Sequence, residues 1–181
     1  NMRVDKIIDV GAGTGVMLEE IRASGIEANL LAIEPTPALA KICRQKKIET
    51  FEGFASEAAL DPCLKDSASF VVSFEVIEHV VSPIEFLNAL SSLIIPGGYV
   101  MFTGLCGSGF DILVLGEHSN SVSPPHHLNF LSRNGVSELL KRCGLTEVFF
   151  TTPGVLDVDI IKNTFAKKPQ GQSHANYGEV K

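Results

Sequence analysis

Ile7-Ile8-Asp9-Val10-Gly11-Ala12-Gly13-Thr14-Gly15 decides the fold of this chain. An apolar run ends in a carboxylate, then in three glycines at alternate positions, and a helical pattern follows. That order predicts a buried parallel strand turning tightly into a helix beneath a bound nucleoside. Glycine tolerates a positive φ and lets a ligand touch the backbone. The spacing narrows the ligand. A dinucleotide fingerprint, G-x-G-x-x-G, would place its third glycine at position 16, where this chain has Val16; the third glycine is Gly15. A tight turn that binds nothing is the plain alternative, but ordinary turns rarely need three glycines.

Outward from this loop, strands and helices alternate at short intervals. The pattern predicts an α/β fold, doubly wound, with a parallel sheet and helices on both faces. The first strand is Val4–Val10, and the helix after it turns Met17, Leu18 and Ile21 to one face and stops near Gly25. The second strand, Ala28–Ile33, ends at Glu34, and Thr36-Pro37 opens a helix as N-cap and first helical residue. Lys41, Arg44, Lys46 and Lys47 complement the negative end of that helix. Ile48–Phe51 is a third strand, Ala55–Leu60 a short helix or loop, and Ser69–Phe74 a fourth strand. Ser82-Pro83-Ile84-Glu85 reads as a capping box, with Phe86, Leu87, Leu90, Leu93 and Ile94 following at helical spacing. Pro96-Gly97-Gly98 breaks this helix before a fifth strand, Tyr99–Gly104. Residues 105–130 are Gly/Ser/Pro-rich and read as irregular, with 105–123 a lid. Ser132 caps a last helix that turns Val136, Leu139, Leu140 and Cys143 inward and closes at Gly144. Thr146–Thr151 and Ile160–Ala166 read as an antiparallel pair at one sheet edge, and Lys167–Lys181 as a polar, disordered tail. One domain over residues 1–166 is expected, without an internal repeat.

Composition bounds the function. The 181 residues are 45% hydrophobic and 20% charged, as in an ordinary globular domain. The net charge of −6 and the lack of any long basic run argue against nucleic acid. No signal-peptide pattern and no apolar stretch near ~18 residues is visible, so no membrane span is expected. Cys43, Cys63, Cys106 and Cys143 are scattered without C-x-x-C, which suits reduced thiols in a cytoplasmic protein and argues against structural zinc. The chain opens on Asn1 rather than Met, as a trimmed chain or a piece of a longer one would.

Five segments in order carry a family resemblance: Asp9–Gly15, Ala32-Ile33-Glu34, Glu75-Val76-Ile77-Glu78-His79-Val80, Leu93-Ile94-Ile95-Pro96-Gly97-Gly98 and His127-Leu128-Asn129-Phe130. Together they resemble the class I S-adenosylmethionine (SAM)-dependent methyltransferases over about residues 4–166, in particular the ubiquinone-biosynthesis-type small-molecule enzymes. The resemblance implies a Rossmann-like, seven-stranded, mostly parallel sheet with the last strand antiparallel. It implies SAM as cofactor and a small-molecule acceptor. Fold alone does not license function, so the residues must carry it.

On this resemblance Gly11, Ala12, Gly13 and Gly15 lie under the methionine part of SAM, and Asp9 orients the loop or meets the ammonium group. Glu34 ends its strand where an acid accepts hydrogen bonds from ribose hydroxyls; a carboxylate accepts from two hydroxyls at once. The same acid would suit NAD. Relatives often place an acid after the third strand to meet adenine, but this chain has Phe54 and then Ala55 and Ser56. Backbone groups, the Ser56 hydroxyl or stacking would serve instead, unless Phe54 is simply core. Glu75 and Val76 sit at the carboxyl end of the fourth strand and face the cofactor. If the next turn is helical, Glu75, Glu78 and His79 share one face. With His127 they could hold a divalent ion, Mn, Fe or Zn rather than Mg. Otherwise His79 caps the turn and Glu78 is solvated; no metal is assigned.

Pro124-Pro125-His126-His127 follows the lid. Imidazole changes charge near neutrality and can take the proton of an acceptor hydroxyl. His127 is the first candidate for catalytic base and His79 the second; alternatively these histidines only bind loop backbone. The reading is O- or N-methylation of a small molecule. A catalytically silent SAM-binding or partner-binding domain is one alternative. An NAD-dependent oxidoreductase is another, disfavoured by Val16.

Overall fold

The computed structural model describes residues 4–152. Five strands form one sheet among them: β1 (Lys6–Val10), β2 (Asn29–Ile33), β3 (Glu49–Phe51), β4 (Ala68–Ser73) and β5 (Ile94–Phe102). All pair in parallel, in the order β3-β2-β1-β4-β5. β1 pairs β2 from Lys6↔Asn29 to Val10↔Ile33, and pairs β4 on its other edge at Ile7↔Phe70. The order reverses at β1, so a crevice opens where the chain leaves the carboxyl ends of β1 and β4.

The two faces of the sheet bury separate sets of side chains, as the two-residue strand period requires. Ile8 and Val10 of β1 and Leu31 and Ile33 of β2 join one core with Leu87, Leu90 and Leu93 of α4 (Pro83–Leu93) and Leu139 of α6 (Arg133–Arg142). Ile7 and Ala32 point the other way, to Leu18 of α1 (Val16–Ala23) and Cys43 of α2 (Pro37–Gln45). Helices therefore cover both faces. Met17, expected inward on α1, is 37% exposed, and Leu18 takes the fully buried position.

The helix starts follow local chemistry. Ser82 Oγ accepts from the Glu85 N–H at 3.3 Å, and Ser132 Oγ from the Gly135 N–H at 3.1 Å. Thr36 occupies the N-cap of α2 without capping through its side chain. α3 is a single turn, Ala55–Ala58.

Three expectations need correction. Pro96-Gly97-Gly98 does not precede β5 but lies inside it, as an irregularity between the pairs Ala68↔Ile94 and Phe70↔Tyr99. A bulge gives β5, the outermost strand among the described residues, room for a proline without a ladder donor. Residues 105–130 are not irregular throughout: α5 (Phe110–Leu115) and a 3-10 turn (Gly116–His118) form there. Asp111 Oδ2 organises them by accepting from Ser119 Oγ at 2.7 Å and Ser121 Oγ at 2.8 Å. Thr146–Thr151 carries no regular structure. Arg133 binds Glu147 and lies 4.3 Å from the Phe150 ring, which ties this run to α6 rather than to the sheet. Ile160–Ala166 and the 167–181 tail lie outside the described residues.

Candidate functional site

The turn after β1 uses its glycines. Gly11, Gly13 and Gly15 have φ of 77°, 56° and 77°, the left-handed region that side chains disfavour. They differ in what surrounds them. A Cβ on Gly11 would lie 2.5 Å from Val76 Cγ2, and one on Gly15 would lie 2.8 Å from Ile48 Cδ1. A Cβ on Gly13 would meet nothing within 4 Å. Two glycines therefore permit internal packing, and the middle one leaves open space over the loop. The Gly11 and Ala12 N–H groups both donate to Ile33 O, at 2.8 and 3.2 Å, which fastens the loop to the end of β2. Cys43 Sγ donates to Gly13 O at 3.3 Å and Lys46 Nζ to Thr14 O at 2.8 Å.

Glu34, just past β2, is 5% exposed. Its Oε2 accepts from the Gly13 N–H and its Oε1 from the Thr36 N–H, both at 2.8 Å. The carboxylate braces the glycine loop against the start of α2. Each oxygen keeps a further lone pair, so a diol could bind without displacing either contact. Asp9 is also buried, and burial, helped by the Glu34 charge, pushes its carboxyl up to about 7. A cation brought to this end of β1 would favour its charged form.

Beyond β3, Phe54 is 63% exposed and so does not belong to the core. Its backbone N–H donates to Glu57 Oε2 at 2.6 Å, holding the start of α3. Ala55 is buried against the core, whereas Ser56 is exposed. The ring of Phe54 and the Ser56 hydroxyl are therefore available for a base, and Ala55 can offer only backbone. Gly53 N–H bonds to Glu34 O at 3.2 Å, which keeps this turn beside the carboxylate.

At the end of β4, Glu75, Glu78 and His79 stay close to one another but differ in burial: Glu75 and His79 are exposed and Glu78 is not. Glu75 has φ 54°, so the turn begins after it. It is exposed, and Thr103 Oγ1 donates to its Oε1 at 2.6 Å and accepts from its N–H at 3.1 Å. Val76 packs over Gly11. Glu78 is 2% exposed rather than solvated, and Oε2 has no hydrogen-bond partner. Burial, with the nearby Glu75 carboxylate, pushes the Glu78 carboxyl above its ordinary range against the pull of a backbone hydrogen bond. Among the described residues no three His, Cys, Asp or Glu side chains come together to hold a metal ion.

His79 and His127, 48 positions apart in sequence, meet with ring centroids 4.9 Å apart and planes tilted by 51°. His79 Nδ1 lies 2.7 Å from His126 O, and His127 Nδ1 lies 2.7 Å from Ser121 O. A carbonyl oxygen only accepts, so each Nδ1 carries a hydrogen, and in the neutral ring Nε2 is the nitrogen with the lone pair. Both imidazoles are thereby held as potential bases. Sequence reasoning missed Thr103 and gave Asn129 no role of its own. No local pattern marks either residue, because their partners lie 28 and about 50 positions away.

A family model described as "Methyltransferase domain" matches residues 1–148. The chain is 27% identical over 150 residues to a ubiquinone biosynthesis O-methyltransferase of Xanthomonas axonopodis pv. citri, covering 77% of this chain and 62% of that relative. It thus spans somewhat less than two-thirds of the relative's length. Among solved structures, a SAM-dependent methyltransferase of Thermotoga maritima superposes with a TM-score of 0.62 at 20% identity, covering 78% of this chain and 64% of the other. A SAM-dependent methyltransferase of Archaeoglobus fulgidus gives 0.62 at 17% identity, with 90% and 77% covered. At these identities the structures establish the shared fold.

Proposed function

The chain belongs to the methyltransferase-domain family, and on that premise we propose that it transfers a methyl group from SAM to a small acceptor without negative charge. One observation carries the reading: the open left-handed Gly13 with the braced Glu34 carboxylate lies after β1 and β2, while two Nε2-basic imidazoles converge beyond β4. SAM supplies an electrophilic methyl on its sulfonium. The chain's own residues supply placement, which is where much of the rate in such a transfer arises.

Glu34 holds the ribose hydroxyls through its spare lone pairs, and Asp9 faces the ammonium side. Gly11, Ala12, Gly13 and Gly15 let the methionine portion rest on backbone. Phe54 offers a ring to adenine, with Ser56 and the Ala55 backbone at its edge, and Glu75 and Val76 close the β4 side. His127 Nε2 takes the proton of an acceptor hydroxyl, with His79 beside it as the second base. A neutral amine needs no such base. The names of the Xanthomonas relatives favour oxygen.

The charge pattern of the chain supports this choice of acceptor. No Lys or Arg occurs between Lys65 and Arg133, a stretch that contains Glu75, Glu78, Asp111 and Glu117 along with His79 and His127. An anionic polymer finds little to grip there, so a small neutral or cationic acceptor fits better than nucleic acid. No helix among the described residues is long and apolar enough to cross a membrane; a cytoplasmic site of action belongs to the same proposal. So does an antiparallel last strand beyond the five described strands.

Calorimetry with SAM, its demethylated product and NAD(H) tests the cofactor. Labelled SAM with a panel of catechols and amines then tests transfer. His127→Ala should keep SAM affinity and lose ~10²–10⁴-fold in rate toward a hydroxyl acceptor. NAD binding without SAM binding would overturn the reading, and SAM binding with no transfer to any acceptor would leave a silent cofactor-binding domain.

A further inference from the structure

We propose that Asn129 is a positioning residue that locks His127 beside His79. The proposal rests on the reading of these histidines as bases and names the group that holds them.

The turn after β4 closes with a single backbone bond, from the His79 N–H to Val76 O at 2.9 Å. The carbonyls on either side of His79 need partners from elsewhere. The segment carrying His127 supplies them. Asn129 Nδ2 donates to Ile77 O at 3.1 Å and to Val80 O at 2.6 Å. The Leu128 and Asn129 N–H groups donate to Glu78 O at 2.7 and 3.2 Å. In return His79 Nδ1 donates to His126 O at 2.7 Å. Five hydrogen bonds thus join residues 77–80 to residues 126–129, and His79 and His127 sit inside the joined region.

A carboxamide suits this place. Its nitrogen carries two hydrogens, one for each carbonyl. Aspartate has the same shape but would set a carboxylate oxygen against two carbonyl oxygens. A hydroxyl has one hydrogen and serves one carbonyl. The two acceptors bracket His79, and the donor stands two residues after His127. A shift of this side chain therefore moves both rings together, and a misplacement of ~1 Å at a reacting group can cost ~10²-fold in rate.

The test reads the rings directly, with no acceptor present. Long-range 1H–15N spectra of the imidazoles are recorded with the demethylated cofactor product bound, for the wild type, Asn129→Asp and Asn129→Ala. The wild type should show both rings with the hydrogen on Nδ1. Both variants should lose that pattern for His79 and His127, while the product's Kd stays within about threefold. Asn129→Ala adds no charge and so reports even if Asn129→Asp fails to fold. Asn129→Gln should recover the wild-type pattern in part. Unchanged ring spectra in Asn129→Ala would overturn the proposal and leave the base reading standing. The base reading fails differently, through full methyl transfer by His127→Ala, and that result would remove both.

Discussion

Glu34 and Gly13 are joined by a 2.8 Å hydrogen bond from the glycine N–H to Oε2, across 21 positions of sequence. The other oxygen of the same carboxylate holds the Thr36 N–H. One side chain therefore sets the glycine loop, the start of α2 and the acidic end of β2 relative to one another. The group expected to meet the ribose is also the group that shapes the loop.

Glu34→Ala should weaken SAM binding by roughly 1.5–3 kcal/mol, about ten- to hundredfold in Kd. Glu34→Gln should fall between the two. Its amide has one acceptor oxygen, so an NH2 group must face either Gly13 N–H or Thr36 N–H. Calorimetry decides. Equal affinity for all three proteins would show that the carboxylate meets no part of the cofactor.

Alanine at the three loop glycines should separate stability from binding. All three pay for a left-handed side chain, ~1–2 kcal/mol. Gly11→Ala must also displace Val76 Cγ2, and Gly15→Ala must displace Ile48 Cδ1. Gly13→Ala meets open space, so its stability loss should be the smallest of the three and its loss of SAM affinity out of proportion to it. Thermal melts beside binding curves test this. Wild-type affinity in Gly13→Ala would mean that the open space is not the cofactor's.

Asp9 makes stability depend on pH. Its carboxyl is raised from 3.8 to about 7, first by burial and then by the Glu34 charge. The folded protein therefore holds a proton that the unfolded chain releases at lower pH. Its contribution is fully present below 3.8 and is lost as pH rises through about 7. Ionising it in the fold costs up to roughly 4 kcal/mol, at ~1.4 kcal/mol per pH unit of displacement. Asp9→Asn should thus be more stable than the wild type at pH 8 and nearer to it at pH 5, by denaturant unfolding without cofactor. A constant difference across that range would contradict the buried, proton-holding carboxyl.

The sequence makes the left half of the sheet and the loop legible because their signals are local. Apolar runs of strand length, punctuated by glycine and by the acids Asp9 and Glu34, locate β1 and β2 without any knowledge of neighbours. Pro96-Gly97-Gly98 defeats the same reasoning. Its backbone continues β5 only because β4 lies alongside, and Ala68 and Phe70 can pair around the irregularity. Glu78 misleads for a related reason: segments distant in sequence reach it, with Leu128 and Asn129 binding its backbone and Gly104 lying beside its carboxyl. The pairing of His79 with His127 was inferable only from strand order, and its details rest on Asn129.

The segment between β5 and α6 should open when Asp111 is lost. Burial raises this carboxyl, but hydrogen bonds from Ser119 and Ser121 outweigh burial and hold it below its ordinary range. Ser119 is itself buried, at 3% exposure, so its hydroxyl depends on that partner. A depressed carboxyl stabilises the fold above its unfolded value of 3.8, and that contribution disappears as pH falls through the lower folded value. Acid should therefore loosen this segment, and Asp111→Ala should loosen it at neutral pH. Hydrogen exchange would show faster amides at Ser119, Ser121 and Val122, whose N–H groups belong to this turn or its neighbours, while the amides of β4 stay protected. His127 hangs its Nδ1–H on Ser121 O, so the same substitution should loosen the imidazole and slow transfer to a hydroxyl acceptor without weakening SAM binding. Amides that exchange at the wild-type rate in Asp111→Ala would show that the serine–carboxylate cluster does not hold the segment closed.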